Sequence, residues 1–163
     1  MTNRTNTPDQ LDTPPIPVQA KLAAAWTSFM FLYVYVDILA LYKPGVVDGI
    51  LAGVVWELDI TPTWAISALT LLAIPILMVV LSMTLPARAN RITNLVVAAL
   101  QIPFAAFNAV GEIGEPWMYF YVLGVALEVV VLAFILRSAW TWPRRTASPS
   151  TPVPEGRPAP QQA

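Results

Sequence analysis

Two uninterrupted apolar runs, joined by a short basic stretch, constrain the fold of this chain more than any other feature. The first run, Thr63 to Leu85, and the second, Ile92 to Gly111, contain no charged residue. At about 1.5 Å of rise per residue, a helix of either length spans roughly 30 Å, the thickness of the hydrocarbon core of a bilayer. The two runs are therefore predicted to form a helical hairpin in a membrane.

The stretch between these runs, Leu85 to Arg91, predicts the side of the membrane on which the hairpin turns. It carries Arg88 and Arg91, and short loops with positive residues concentrate on the cytoplasmic face. Two more apolar segments of similar length flank the hairpin. Four transmembrane helices are thus predicted, at about 22–42, 63–85, 92–111 and 117–140.

Composition supports one membrane domain with polar tails. Of the 163 residues, 56% are hydrophobic and 12% charged, whereas soluble domains are nearer one quarter charged. We predict an all-α, integral membrane four-helix bundle over 21–145. Residues 1–20 and the Pro-rich 146–163 are predicted to be disordered tails, since they lack apolar surface. About twenty polar residues precede the first helix, which is therefore expected to stay uncleaved.

The distribution of charge predicts that both termini are cytoplasmic. Acidic residues gather in the two loops on the other side of the membrane, at Asp48, Glu57, Asp59, Glu112 and Glu115. Lys43 is the single exception to the positive-inside pattern. The remaining basic residues lie on or near the predicted cytoplasmic side: Arg4, Lys21, Arg88, Arg91, Arg137, Arg144, Arg145 and Arg157.

Several function classes are disfavoured by the residue types present. The chain has no Cys and no His, which excludes thiolate or imidazole metal sites, haem ligation by those residues and Cys or His catalysis. Its net charge of −1 provides no basic excess for nucleic acid. We expect no catalytic residue, no metal, no cofactor and no nucleic-acid partner.

The first helix carries an acid, Asp37, on one stripe with Trp26, Met30, Tyr33 and Ala40. Three interpretations are open. The carboxyl group reaches water near the outer end of the helix, serves as a proton or ligand site, or forms a buried structural hydrogen bond.

The third helix carries a stripe of amides and small residues at steps of four and three: Asn94, Ala98, Gln101, Ala105, Asn108 and Glu112. Such a stripe must face protein or water, because unpaired amides in hydrocarbon cost several kcal/mol, roughly. It predicts interhelical hydrogen bonds, with a substrate path as the alternative.

Depth in the bilayer then groups the polar residues. Glu128 and Gln101 fall near the midplane of antiparallel helices. We predict that they face each other or share one bundle interior, with a neutral carboxyl hydrogen-bonded to the amide. In the outer half, Asp37, Asn108, Thr70 and Ser67 are matched in depth and are predicted to form a polar cluster. The candidate intramembrane polar site comprises Asp37, Tyr33, Thr70, Gln101, Asn108 and Glu128.

Two local features are ambiguous from sequence. The connection Lys43 to Pro62 predicts a short interfacial helix, a shallow re-entrant piece or a flexible loop. Pro75, within the second helix, predicts a kink that is either static or a hinge.

A set of short motifs along the chain carries a family resemblance. The motifs are Lys21-Leu22, Ala25-Trp26-Thr27-Ser28, Met30-Phe31, Tyr33-x-Tyr35-x-Asp37, Ala73-Ile74-Pro75, Met78-Val79, Leu81-Ser82, Asn90-Arg91, Tyr119-Phe120-Tyr121 and Ala139-Trp140-Thr141-Trp142-Pro143. Together they resemble a family of small bacterial four-helix membrane proteins, the domain of unknown function DUF6326. The resemblance covers about Lys21 to Arg144 and implies the four-helix fold, with Asp37 and Glu128 at the acidic positions of the family, but no activity, cofactor or catalytic residue. We expect the protein in the bacterial inner membrane.

Function classes follow from these patterns. Polar stripes suit interfaces and four helices enclose little volume, so we expect a structural or accessory membrane protein that packs against itself or a membrane-protein partner within the lipid bilayer. The alternative is a small proton-linked transporter or carrier that uses Asp37 and Glu128. An enzyme would need carboxylate chemistry on lipids or quinones, and we do not expect one.

Overall fold

The computed structural model of this protein describes residues 15–143. The predicted tails lie mostly outside this part of the chain, as do Arg4, Arg144, Arg145 and Arg157. In chain order the elements are α1 (Val18–Ala40), α2 (Val46–Leu51), β1 (Val54–Val55), β2 (Leu58–Asp59), α3 (Pro62–Thr84), α4 (Ala87–Val110) and α5 (Met118–Trp140).

Four of these helices, α1, α3, α4 and α5, are long and apolar enough to cross a membrane. Each has 23 or 24 residues, which is close to the length that spans the hydrocarbon core. The prediction of an all-α fold with four long apolar helices is confirmed. The orientation of the termini stays a prediction.

The helices extend further at the basic end of the bundle than their uncharged runs suggest. Helix α1 begins at Val18, where Leu22 was expected, and α4 begins at Ala87, where Ile92 was expected. Arg88 and Arg91 therefore lie on the first turns of α4, and the predicted basic turn shrinks to two residues. The physical reason is that polar side chains do not terminate a helix, so a transmembrane helix can continue beyond the hydrocarbon core.

Capping residues explain two of the helix starts. Helix α3 opens with the Thr61 hydroxyl accepting a hydrogen bond from the Trp64 backbone N–H at 3.1 Å, followed by Pro62 at the first position. Pro86, at φ −63°, separates α3 from α4. Its missing N–H costs nothing there, because the first N–H groups of a helix have no intrahelical acceptor.

The four long helices form a bundle in which α1 packs between α3 and α5, and α5 packs between α1 and α4. Helices α3 and α4 make few close contacts although they are consecutive. Helix α4 thus lies diagonally across the bundle from α1. Within residues 15–143, helix α5 packs closely against both of its neighbours, whereas α3 and α4 pack loosely against each other. We call the face between α3 and α4 the loosely closed side of the bundle.

The packed core lies in the half of the bundle that carries the basic residues. The fully buried apolar side chains of this core come from all four long helices and are Leu22, Trp26, Phe29, Met78, Ala98, Leu132, Ile135 and Ala139. Towards the acidic end, many large apolar side chains of α1 and α3 are exposed, because no other part of the described chain covers them. In a membrane these surfaces face lipid, which is as apolar as the side chains.

The connection between α1 and α3 is ordered. It contains the short helix α2, as one of the predicted alternatives required, and then a β-hairpin that the sequence did not predict. Val54 pairs with Asp59 and Val55 with Leu58, leaving Trp56 and Glu57 as the turn. Trp56 has φ 55°, a conformation usually taken by glycine in tight hairpins, and its ring lies 6.3 Å from that of Phe107 on α4.

Candidate functional site

A buried polar cluster occupies the basic half of the bundle and centres on Asn94 of α4. Asn94 Oδ1 accepts a hydrogen bond from Trp26 Nε1 at 2.7 Å and another from Ser82 Oγ at 3.3 Å. Its Nδ2 donates to the backbone oxygen and to Oδ1 of Asn90, and Asn90 Nδ2 donates to the Ser82 backbone oxygen. One amide pair therefore ties together α1, α3 and α4. We call these four residues, Trp26, Ser82, Asn90 and Asn94, the amide cluster.

Sequence reasoning identified only part of the amide cluster. Asn94 was on the predicted polar stripe, whereas Asn90 and Ser82 belonged only to the motifs of the family resemblance and were assigned no role. The spacing of Asn90 and Asn94, one helical turn apart, was the available signal. The predicted start of α4 was taken from the uncharged run and therefore lay at Ile92, which placed Asn90 in the preceding loop.

A second polar contact joins α1 to α4 nearer the acidic end. Asn108 Nδ2 donates to the Tyr33 hydroxyl at 3.0 Å. The Tyr33 ring also lies parallel to Phe104, with 6.3 Å between the ring centroids. Two members of the predicted site thus meet, and both are half-buried.

A third contact closes the acidic end. Lys43, after α1, donates from Nζ to both carboxylate oxygens of Glu112, after α4, at 2.7 and 2.6 Å. Nζ also lies 5.9 Å from the centre of the Tyr121 ring. The hydrogen bond to Glu112 raises the pKa of Lys43 above its ordinary value, against the opposing effect of burial. The exceptional lysine of the charge pattern therefore has a structural role.

Removing this ion pair is expected to lower stability and to alter its dependence on alkaline pH. Because the folded-state pKa of Lys43 is raised, the stabilisation is present below the unfolded pKa of about 10.4 and is lost as pH rises through the folded value. Lys43→Met should cost about 1–3 kcal/mol at neutral pH, between the values of exposed and buried pairs. The free energy of unfolding of the Lys43→Met variant should also fall less steeply than that of wild type as the pH rises above this value. Thermal unfolding in detergent against pH measures both effects. An identical alkaline profile for both proteins would contradict the assignment.

Within residues 15–143, no hydrogen bond joins any two of the four residues predicted to form the outer cluster. Ser67 and Thr70 are exposed on α3, and each hydroxyl donates to a backbone oxygen of its own helix, Thr63 at 2.9 Å and Ile66 at 2.8 Å. Asp37 is also exposed on α1. The prediction is wrong for the two hydroxyl residues, because a serine or threonine in a helix can satisfy itself without a neighbour.

Glu128 and Gln101 are both buried, with exposures of 3% and 8%. The predicted hydrogen bond between the carboxyl and the amide is not formed. Glu128 Oε2 and Gln101 Oε1 have no hydrogen-bond partner within residues 15–143. Equal depth on neighbouring helices fixes the level of two side chains but leaves their rotation about the helix axes free.

Pro75 lies inside α3 and is buried, and the helix runs on past it to Thr84. The proline is thus packed against the rest of the bundle, which agrees with a static kink as well as with a hinge.

Three polar contacts hold α1 and the residues after it against α4 and the residues after it. The contacts Trp26 to Asn94, Tyr33 to Asn108 and Lys43 to Glu112 lie at three successive levels of the bundle. Fixed contacts of this kind lock the register of two helices. Neither Asp37 nor Glu128 takes part in these three contacts.

Comparisons with known proteins identify a family. The model of a family of unknown function, DUF6326, matches residues 18–148. No curated protein matches the chain significantly, and no solved structure does.

Proposed function

Because the chain belongs to DUF6326, a family of unknown function, we propose a role from the geometry of its own residues. The protein is a structural or accessory protein of the bacterial inner membrane, without enzymatic activity. It acts through helix packing, with another copy of itself or with a membrane-protein partner.

One observation carries this proposal. Most buried polar groups are used inside the bundle, in the three contacts between α1 and α4 and in the amide cluster. A carrier needs polar groups that exchange partners, whereas these groups have fixed partners in the same chain. The exposed apolar side chains of the long helices leave ample surface for lipid or for a partner helix.

The proposed orientation has both termini in the cytoplasm. Arg88 and Arg91 lie at one end of the bundle with Trp140, whose ring is 5.8 Å from the Arg91 guanidinium carbon. The acidic loops lie at the other end. Following the positive-inside rule, a C-terminal fusion to green fluorescent protein should fluoresce, and one to alkaline phosphatase should be inactive. Periplasmic phosphatase activity would reverse the orientation.

A small proton-linked carrier is the second candidate, and Glu128 is the observation that favours it. Its carboxyl group is buried, with Oε2 unpartnered among the described residues. Intramembrane acids in such surroundings mark proton relays in pumps and transporters.

Complementation of a deletion strain separates the two candidates. The strain is grown in competition with its parent under conditions where the deletion is disadvantageous, and variants are expressed at matched membrane levels. Under the packing role, Glu128→Gln and Asp37→Asn should complement fully, because each keeps the shape of the side chain. A variant that breaks the amide cluster, Asn94→Leu, should complement poorly.

The contrary pattern favours the carrier. If Glu128→Gln reaches the membrane, is folded by size-exclusion chromatography and still fails to complement, then the acid titrates in a working cycle. The packing role would then be rejected.

A further inference from the structure

A cavity of about 210 Å³ lies between α3 and α4, on the loosely closed side of the bundle. Exposed side chains of Leu71, Ile74 and Leu100 lie at its edge, so in a membrane it opens to lipid. The full lining is Leu71, Ile74, Val97, Leu100, Gln101 and Phe104.

Packing elsewhere explains why this space is left open. Helices α3 and α4 are held together near their turn, where Asn90 donates to the Ser82 backbone oxygen at 2.6 Å. Farther from the turn, Phe104 stacks on Tyr33 of α1 and so is engaged away from α3. The other side chains of the lining leave the gap between α3 and α4 unfilled.

Gln101 gives the cavity its chemistry. It is the single polar side chain of the lining and is more than nine-tenths buried. Its Oε1 is fully enclosed and has no hydrogen-bond partner within residues 15–143, so the part of the amide that a ligand in the cavity can reach is the Nε2 group, a donor. A buried amide left unpaired is costly, because it has lost its hydrogen bonds to water.

The volume of the cavity limits which molecules could bind beside the Gln101 amide. An apolar cavity of about 150 Å³ is known to hold benzene, and this one is larger. A ring with a short alkyl substituent therefore fits, and the Gln101 Nε2 group can donate a hydrogen bond to an oxygen such as that of a hydroxyl group.

We propose that the cavity between α3 and α4 binds a lipid-soluble molecule that has a ring-sized apolar body and one hydroxyl group, which hydrogen-bonds to Gln101. The molecule enters from the bilayer between Leu71 and Leu100. This site goes beyond the packing role, because it requires neither a partner nor a titrating acid.

The test uses two probes that differ only in the hydroxyl group, 4-propylphenol and propylbenzene. Binding to the full chain in detergent is measured by isothermal titration, with free concentrations corrected for partition into micelles. The wild-type protein should bind the phenol about tenfold more tightly, the value of one hydrogen bond. Gln101→Leu should bind both probes equally.

Two further variants complete the test. Val97→Phe fills the cavity and should abolish binding of both probes, whereas Thr70→Val, which removes an exposed hydroxyl of α3 outside the lining, should leave both affinities unchanged. Without ligand, Gln101→Leu should be at least as thermally stable as wild type, because it removes an unpaired buried amide.

Three outcomes would overturn the site. These are binding of neither probe to wild type, equal affinity of wild type for both, as expected for a cavity that holds only lipid chains, and an unchanged preference in Gln101→Leu. If Gln101→Leu does not fold, the Gln101 amide has a structural role and the assignment fails. Unaltered phenol binding in Val97→Phe would place the probe elsewhere.

Discussion

Asn94→Leu should lower the free energy of unfolding by about 2–4 kcal/mol, the largest effect expected from any single polar substitution in the described chain. Interhelical hydrogen bonds in membranes average only about 0.6 kcal/mol. Asn94, however, accepts from Trp26 and Ser82 and donates twice to Asn90. Its loss leaves the buried Trp26 N–H without an acceptor, and such orphaned groups cost about 1–3 kcal/mol each.

The measurement is unfolding of purified protein in mixed micelles with increasing denaturing detergent. Thr27→Val is the matched control, because the Thr27 hydroxyl is exposed and donates to the Ala23 backbone oxygen of its own helix at 2.9 Å. The control should stay within about 0.5 kcal/mol of wild type. An Asn94→Leu protein as stable as this control would show that the amide cluster is dispensable.

Gly124→Leu should disrupt the bundle at the contact of α5 with α1. A Cβ atom added at Gly124 would lie only 3.0 Å from Val36 Cγ2, closer than ordinary van der Waals contact. Overpacking of a filled core costs about 1–3 kcal/mol, and the larger leucine side chain has to separate the helices. We expect a loss of at least about 3 kcal/mol, or failure to accumulate in the membrane.

A smaller pair of substitutions tests the same contact in a protein that still folds. Gly124→Ala alone should be destabilising, and adding Val36→Ala should recover part of the loss by removing the methyl groups that the new Cβ meets. Contacting residues couple by about 0.5–3 kcal/mol in such cycles. Val122→Leu adds bulk on an exposed face of α5 and should be neutral. Simple additivity of the two alanine substitutions would refute the close approach.

The helices could be predicted from the sequence because hydrophobicity acts over a whole segment. Four runs long enough to cross a bilayer leave little choice of fold class. The ends of the helices were predicted less accurately, since Ala87 to Arg91 is helical although it is polar. The hairpin from Val54 to Asp59 was missed, because its turn carries Trp56 where glycine is expected.

The candidate site was predicted less well, because depth along a helix is readable from sequence and rotation about it is not. Tyr33 and Asn108 do meet. Thr70, placed at a similar depth, turns to its own backbone, and Gln101 and Glu128 remain unpaired with each other. The packing that decides these rotations involves residues on several helices at once, such as Gly124 against Val36.

The diagonal contacts between α1 and α4 have a consequence for biogenesis. The partners of Trp26, Tyr33 and Lys43 lie 68, 75 and 69 residues further along the chain. When α1 enters the bilayer during translation, none of these partners has yet been synthesised. The first helix must therefore wait in the membrane, or beside the insertion machinery, until the third long helix arrives. Final docking is a late, post-insertional event, and a chain truncated before Asn94 has no means of completing it.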